Sequence, residues 1–198
     1  MIPENDDAEM LAAMKVAMEK SRGYADFFGW PLDRDLEEAG VLDSLVESMN
    51  LDGVAFYSAL KSRGRPNDPP DCEGRDATGS RVAIEITELV DHAAIHAVKK
   101  GGSKPHWRSW TKADFLRELA CRIDAKDQRY PHLKEPPYPG GYVIVIHTDE
   151  PMLSRSAVQG YLEDSRFPKP QHVSRALLLL SYDPSIQRCP YFELNFAD

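Results

Sequence analysis

The chain has 198 residues, 42% of them hydrophobic and 28% charged, with a formal net charge of −8. That length supplies one sizeable core, expected as a single domain over residues 1–198, and no stretch approaches the roughly 18 apolar residues of a membrane span. The acidic balance argues against non-specific nucleic-acid binding, which leaves a basic footprint.

Cys72, Cys121 and Cys189 are odd in number and widely spaced, so they fit neither a disulfide framework nor a zinc knuckle. The acidic start, MIPENDDAEM, is unlike a secretory signal or a transit peptide. A reducing cytoplasm is the expected setting.

In chain order, Leu11, Met14 and Met18 recur at helical spacing and predict an amphipathic helix over 9–22, closed by Gly23. The aromatic run 24–31 reads as a loop over the core. Residues 1–32 thus form a helix and loop packed on a core of about 33–198. A second helix is expected from 33 or 35 to about 50, with Leu42, Leu45, Val46 and Met49 facing inward. Glu38 falls within that apolar face and Glu47 nearly opposite. An inward Glu38 serves either a site or the helix start, where the dipole and solvent favour an acid. Residues 54–60 fit a helix or a strand. Residues 61–70 read as a loop dense in Gly, Pro, Asn and Asp, with Lys61, Arg63 and Arg65 as solvated charges rather than phosphate contacts.

Residues 65–91, RPNDPPDCEGRDATGSRVAIEITELVD, organise the rest. Pro69-Pro70-Asp71 is followed by turn residues Gly74 and Thr78-Gly79-Ser80, then by an apolar strand holding one carboxylate, Glu85. Alternation puts Ala83, Glu85 and Thr87 on one face and Val82, Ile84 and Ile86 on the other. A lone charge in such a strand is costly to bury unless paired. Asp71 and Glu85 lie on two segments joined by a turn and can meet at one end of a hairpin, where two carboxylates suit a hard divalent cation. The competing readings are Asp71 as a turn cap and Glu85 as the partner of Arg75 or Arg81.

Beyond the hairpin, residues 90–108 read as irregular, a mobile basic loop with Lys99, Lys100, Lys104, His106 and Arg108. His92 and His96 are four apart, but no HExxH surrounds them and zinc is a weak reading. Thr111 and Asp114 approximate a capping box. The helix they open has a buried stripe of Phe115, Leu119 and Ile123, which Lys126 extends by about one turn. Lys126 either belongs to a site or decorates a helix C-terminus, where cations are favoured. Gln128 is a further polar candidate. A proline-rich linker over 130–141 precedes a buried strand at 142–146, a helix at about 154–164, a second buried strand at 177–180 and an edge strand at 191–196. Strands alternating with helices predict α/β layers on a mixed sheet.

Pro70-Asp71, the hairpin turn and Glu85-Ile86-Thr87 resemble the PD-(D/E)XK nuclease superfamily, whose pattern is Pro-Asp, a variable turn and Asp/Glu-X-Lys. Thr87 stands where the family has lysine. In some members a lysine of the following helix reaches the same place, and Trp110, Ile123, Lys126 and Tyr130 look like that variant. The resemblance implies a restriction-endonuclease-like three-layer core, a mixed central sheet flanked by helices. It implies hydrolysis of a phosphodiester in nucleic acid, DNA before RNA, with Mg2+ (or Mn2+) held by Asp71, Glu85 and a glutamate of the preceding helix. Glu38 is favoured for that role, with Glu47 second. Lys126 would steady the attacking water, and Thr87 could hydrogen-bond it. Oligomeric state is left open, a homodimer included. One rival is a non-catalytic binding or regulatory module on a degenerate nuclease fold. The other is a different α/β hydrolase, against which there is no G-x-S-x-G elbow and no phosphate-cradling glycine loop.

Overall fold

The structure is a computed structural model that describes residues 24–25, 34–100 and 107–198. The predicted helix over 9–22, nearly all of the aromatic loop, Lys104 and His106 lie outside the described residues. Four α-helices, two short 3-10 helices (Arg65–Asn67 and Tyr130–His132) and one six-stranded mixed sheet make up the regular structure of those described. Helix α1 spans Arg34–Leu51, α2 His92–Lys99, α3 Lys112–Asp127 and α4 Arg155–Leu162. The strands are β1 (Ser58–Ser62), β2 (Cys72–Arg75), β3 (Arg81–Glu88), β4 (Tyr142–Thr148), β5 (Arg175–Leu180) and β6 (Tyr191–Glu193). They lie side by side in sequence order. β2 runs antiparallel to both of its neighbours, β1 and β3; β3, β4 and β5 are parallel, and β6 returns antiparallel at the far edge.

The central strands are apolar on both faces because helices cover both. Val82, Ile84, Ile86, Val143, Val145, Leu177 and Leu179 pack with Val41, Leu42, Leu45 and Met49 of α1. Ala83, Ile144, Ile146, Ala176 and Leu178 pack on the other side with Phe115, Leu119 and Ile123 of α3 and Val158 of α4. β4 is buried at all seven positions, as its unbroken β-branched run predicts for a strand between two parallel neighbours. In α1 the inward face includes Val41, fully buried, where the sequence reading named the half-buried Val46.

Local chemistry sets the boundaries. The β2–β3 turn is knotted by Asp76, whose Oδ1 accepts from the backbone N–H of Thr78 at 2.9 Å and of Ser80 at 2.8 Å. The Thr78 hydroxyl, which also donates to Oδ1 at 2.7 Å, outweighs some burial and holds the Asp76 carboxyl below the usual range. α3 starts at Thr111, whose Oγ1 accepts from Asp114 N at 3.1 Å. Into β4 the chain passes Gly140, where a Cβ would stand 2.8 Å from Val82 and 2.9 Å from the Ser80 carbonyl oxygen, so only glycine permits this approach.

Several sequence expectations change. Residues 54–60 resolve into a connection and the edge strand β1, which extends into the stretch read as a loop. The stretch 90–108, read as irregular, carries α2: Asp91 caps it through a 2.9 Å bond from Ala93 N, and Ala94 packs with Val90 and Tyr24. Arg63 is not a solvated loop charge. Its side chain is 4% exposed and pairs with Glu73 at 3.0 Å and Glu135 at 2.9 Å. Glu150, buried after β4, gathers Tyr24 Oη (2.8 Å), Asp91 N (2.6 Å) and Trp110 Nε1 (3.0 Å), fastening three segments to the sheet. No described helix is long and apolar enough to cross a membrane.

Candidate functional site

The register of the hairpin determines what meets what. Cys72 pairs with Ile84, the last pair of the β2–β3 ladder, so Asp71 falls beside Glu85 as β2 ends. β3 continues through Glu88, and Asp71 closes the first open position: its Oδ2 accepts from Ile86 N at 2.7 Å. Glu85 points to the α3 side, alternating with Ile84 and Ile86 on the α1 side. There Lys126, the last inward residue of α3, reaches both acids. Its Nζ contacts Glu85 Oε2 directly and lies 3.6 Å from Asp71 Oδ2. Side-chain exposure is 0% for Glu85, 1% for Asp71 and 8% for Lys126. The structure therefore brings together Asp71, Glu85 and Lys126 as one buried group.

Neither bland alternative for the acids describes them. Asp71 accepts from a strand amide rather than capping a turn. Arg75 bonds Gly79 O and Arg81 bonds Glu73, so neither serves Glu85. Burial is the largest influence on Glu85 and, with Asp71 beside it, pushes its carboxyl above the usual range despite Lys126. Its Oε1 is buried and has no hydrogen-bond partner among the described residues.

A polar cleft of about 330 Å³ opens where β3 outruns β2. Its lining includes the cations Lys126 and Arg129, Thr87 and the acids Glu37, Glu38 and Glu88, with His147 beside them. Glu38 is 7% exposed on α1's inward side, while Glu47 is exposed. Thr87 is half-buried on the same strand face as Glu85. Gln128 turns away and bonds Asp124 at 2.8 Å. His92 and His96 are both exposed on α2. A second hollow of about 320 Å³ lies outside α3, against Phe167 and Pro168, and carries none of the buried acids.

Among the cleft residues that the sequence reading did not single out are Arg129 and His147. Arg129 has a guanidinium 3.5 Å from Glu85 Oε2, and its position three residues after Lys126 was the available signal. His147, the penultimate residue of β4, is buried, with Nε2 4.0 Å from Glu37 Oε1. Its signal was a lone histidine closing an apolar run.

The donors at the hairpin suit a hard divalent cation: two adjacent carboxylates, one with an orphaned buried oxygen. The pair stands without a third acid in metal-binding geometry, since no group of three His, Cys, Asp or Glu that could hold a metal ion occurs among the described residues. Comparison with protein-family models, with curated proteins and with solved structures finds no match.

Proposed function

We propose that the protein is a divalent-metal-dependent phosphodiesterase hydrolysing nucleic acid, DNA in the first instance, on a restriction-endonuclease-like core of the PD-(D/E)XK kind. The observation that carries this reading is the convergence of Asp71, Glu85 and Lys126 beside a polar cleft. The order of elements supports it: a helix before the hairpin, the two acids on the hairpin, then a helix supplying lysine ahead of a buried strand.

Asp71 and Glu85 would hold Mg2+ or Mn2+, with Glu38 on the cleft's α1 wall as the further acid. The bound cation supplies polarisation of the phosphate and a lower pKa for water. The chain's own residues do the remaining work. Lys126 donates to the attacking water and offsets negative charge developing on the phosphate oxygens. Its backbone is held by Tyr142, whose hydroxyl donates to Lys126 O at 3.0 Å. Thr87 adds a hydroxyl that orients water without adding charge.

The alternative is a non-catalytic binding or regulatory module on the same framework. The pairing of both acids by one lysine, without a third converging acid among the described residues, favours it. A calorimetric Mn2+ titration of the wild type beside Asp71→Ala and Glu85→Ala separates the two. Saturable binding lost in both variants, with labelled DNA cut only by the wild type, is the expected outcome. Binding that both variants retain refutes the phosphodiesterase reading.

A further inference from the structure

Resting on the phosphodiesterase reading, we infer that Arg129 is the residue that binds the substrate's phosphate at the cleft. The inner arginines of this fold spend their donors on fixed partners. Arg63 bonds Glu73 and Tyr138, Arg122 bonds the Glu88 carbonyl and Glu118, and Arg175 grips both oxygens of Glu193 at 2.9 Å. Arg129 differs. It stands 3.5 Å from Glu85 Oε2 and 3.7 Å from Asp68 Oδ1, beyond useful hydrogen-bond length, and its guanidinium makes no hydrogen bond among the described residues. Its charge is thus partly balanced while its N–H fork stays open.

The side chain is 40% exposed and lines the cleft. A planar fork of donors matches two oxygens of one phosphate, which a carboxylate-bound ammonium cannot do. Lys126, 8% exposed between the two acids, is a point charge at the reacting centre and has no planar fork with which to grip a phosphate. The two cations therefore divide the work, a buried one at the reacting centre and an open one for the incoming anion. A chain of net charge −8 repels polyanions, so attraction has to come from a local cation. Arg129 is also well placed to hold position: its amide donates to Lys126 O at 3.0 Å, just past α3.

Two probes separate the sources of phosphate. One is a fluorescein-labelled DNA of about 20 nucleotides, longer than a single-strand site, single-stranded and duplex, followed by anisotropy in EDTA over a salt series. The other is inorganic phosphate, followed by calorimetry. Wild type, Arg129→Gln and Arg129→Lys are compared, with thermal unfolding and Mn2+ titration alongside. Arg129→Gln should weaken both probes at least about tenfold and lower the salt slope by about 0.7–0.9, one phosphate contact. Arg129→Lys should keep the slope and lose part of the affinity, and both variants should still bind Mn2+. DNA and phosphate binding unchanged in Arg129→Gln overturns the assignment, as does a wild type that binds neither probe. Phosphate binding lost in Arg129→Gln, with no DNA binding by any form, upholds the anchor and overturns the nucleic-acid substrate instead.

Discussion

Replacing Lys126 by methionine keeps the stem and removes the charge, which isolates what the ammonium does. Two carboxylates with 0% and 1% side-chain exposure lose their shared cation. At 3.6 Å and an effective dielectric near 20, the Asp71 pair alone represents roughly 4–5 kcal/mol of gross attraction. Breaking a buried pair by removing one partner typically costs about 3–5 kcal/mol net. Arg129, 3.5 Å from Glu85 but 40% exposed, compensates weakly through solvent and salt. The expected loss is therefore about 3 kcal/mol at pH 8, read from urea unfolding with an unchanged slope. The loss also has a pH signature. Glu85 already has a raised carboxyl pKa in the folded state, and removing Lys126 raises it further. A group raised in the folded state contributes stability fully present below its unfolded pKa, about 4.3, and lost as pH rises through the folded pKa. Destabilisation of Lys126→Met should therefore shrink steadily from pH 8 towards pH 4.5. A penalty below about 1 kcal/mol, or one that does not change with pH, would refute the buried-charge account.

The same linkage gives Glu85→Gln a pH signature: its unfolding midpoint should move in the variant's favour relative to wild type as pH rises from 4 to 8, and a difference that does not change with pH would contradict the dominance of burial at this site. Asp127 behaves oppositely. Against the pull of burial, the amides of His172, Val173 and Gln171 hold its carboxyl below the usual range, so its contribution is present above about pH 3.9 and lost as pH falls through the folded pKa. Asp127→Asn should flatten the acid limb of the stability curve, and an unaltered limb counts against the clamp. Thr111→Ala removes the α3 cap and should cost about 1 kcal/mol, or about 2–4 °C in a thermal scan, with no change in Mn2+ affinity.

Regular periodicity was legible and interactions distant in sequence were less so. The α3 stripe was read in full, and Lys126 is buried with Phe115, Leu119 and Ile123 because a 3.6-residue period continues one turn past Ile123. The encounter of Asp71 with Glu85 followed from hairpin register, a local property. Arg63 was misread because its partners lie outside its own segment, Glu73 on the neighbouring strand and Glu135 far along the chain, and composition marks the segment only as a loop. α2 was missed because the lysine- and glycine-rich run after it masked a short helix whose cap, Asp91, is itself tied to Glu150 across 59 positions. Arg129 escaped notice because it lies past the helix end, where periodicity stops being a guide.

Asp127 shows how the site constrains the scaffold. An acid in the last residue of a helix opposes the helix dipole, and Asp127 closes α3 immediately after Lys126. Its compensation comes from outside the helix: three backbone amides of residues 171–173, at 2.7 to 3.0 Å, on the segment that leads into β5. Tyr130 adds a ring stacked on His172 at 4.2 Å, and Tyr142 of β4 bonds the Lys126 carbonyl. A helix end needed only for packing would gain more from a cation at this position. A helix end that must hold an ammonium between two buried carboxylates gains from being tied to β4 and β5, because a shift of about one ångström there would leave both acids unpaired at a cost of several kcal/mol. Asp127 is thus intelligible as part of the device that fixes Lys126: its charge runs against the dipole of its own helix, and the amides of residues 171–173 more than offset that while tying the helix end to the sheet.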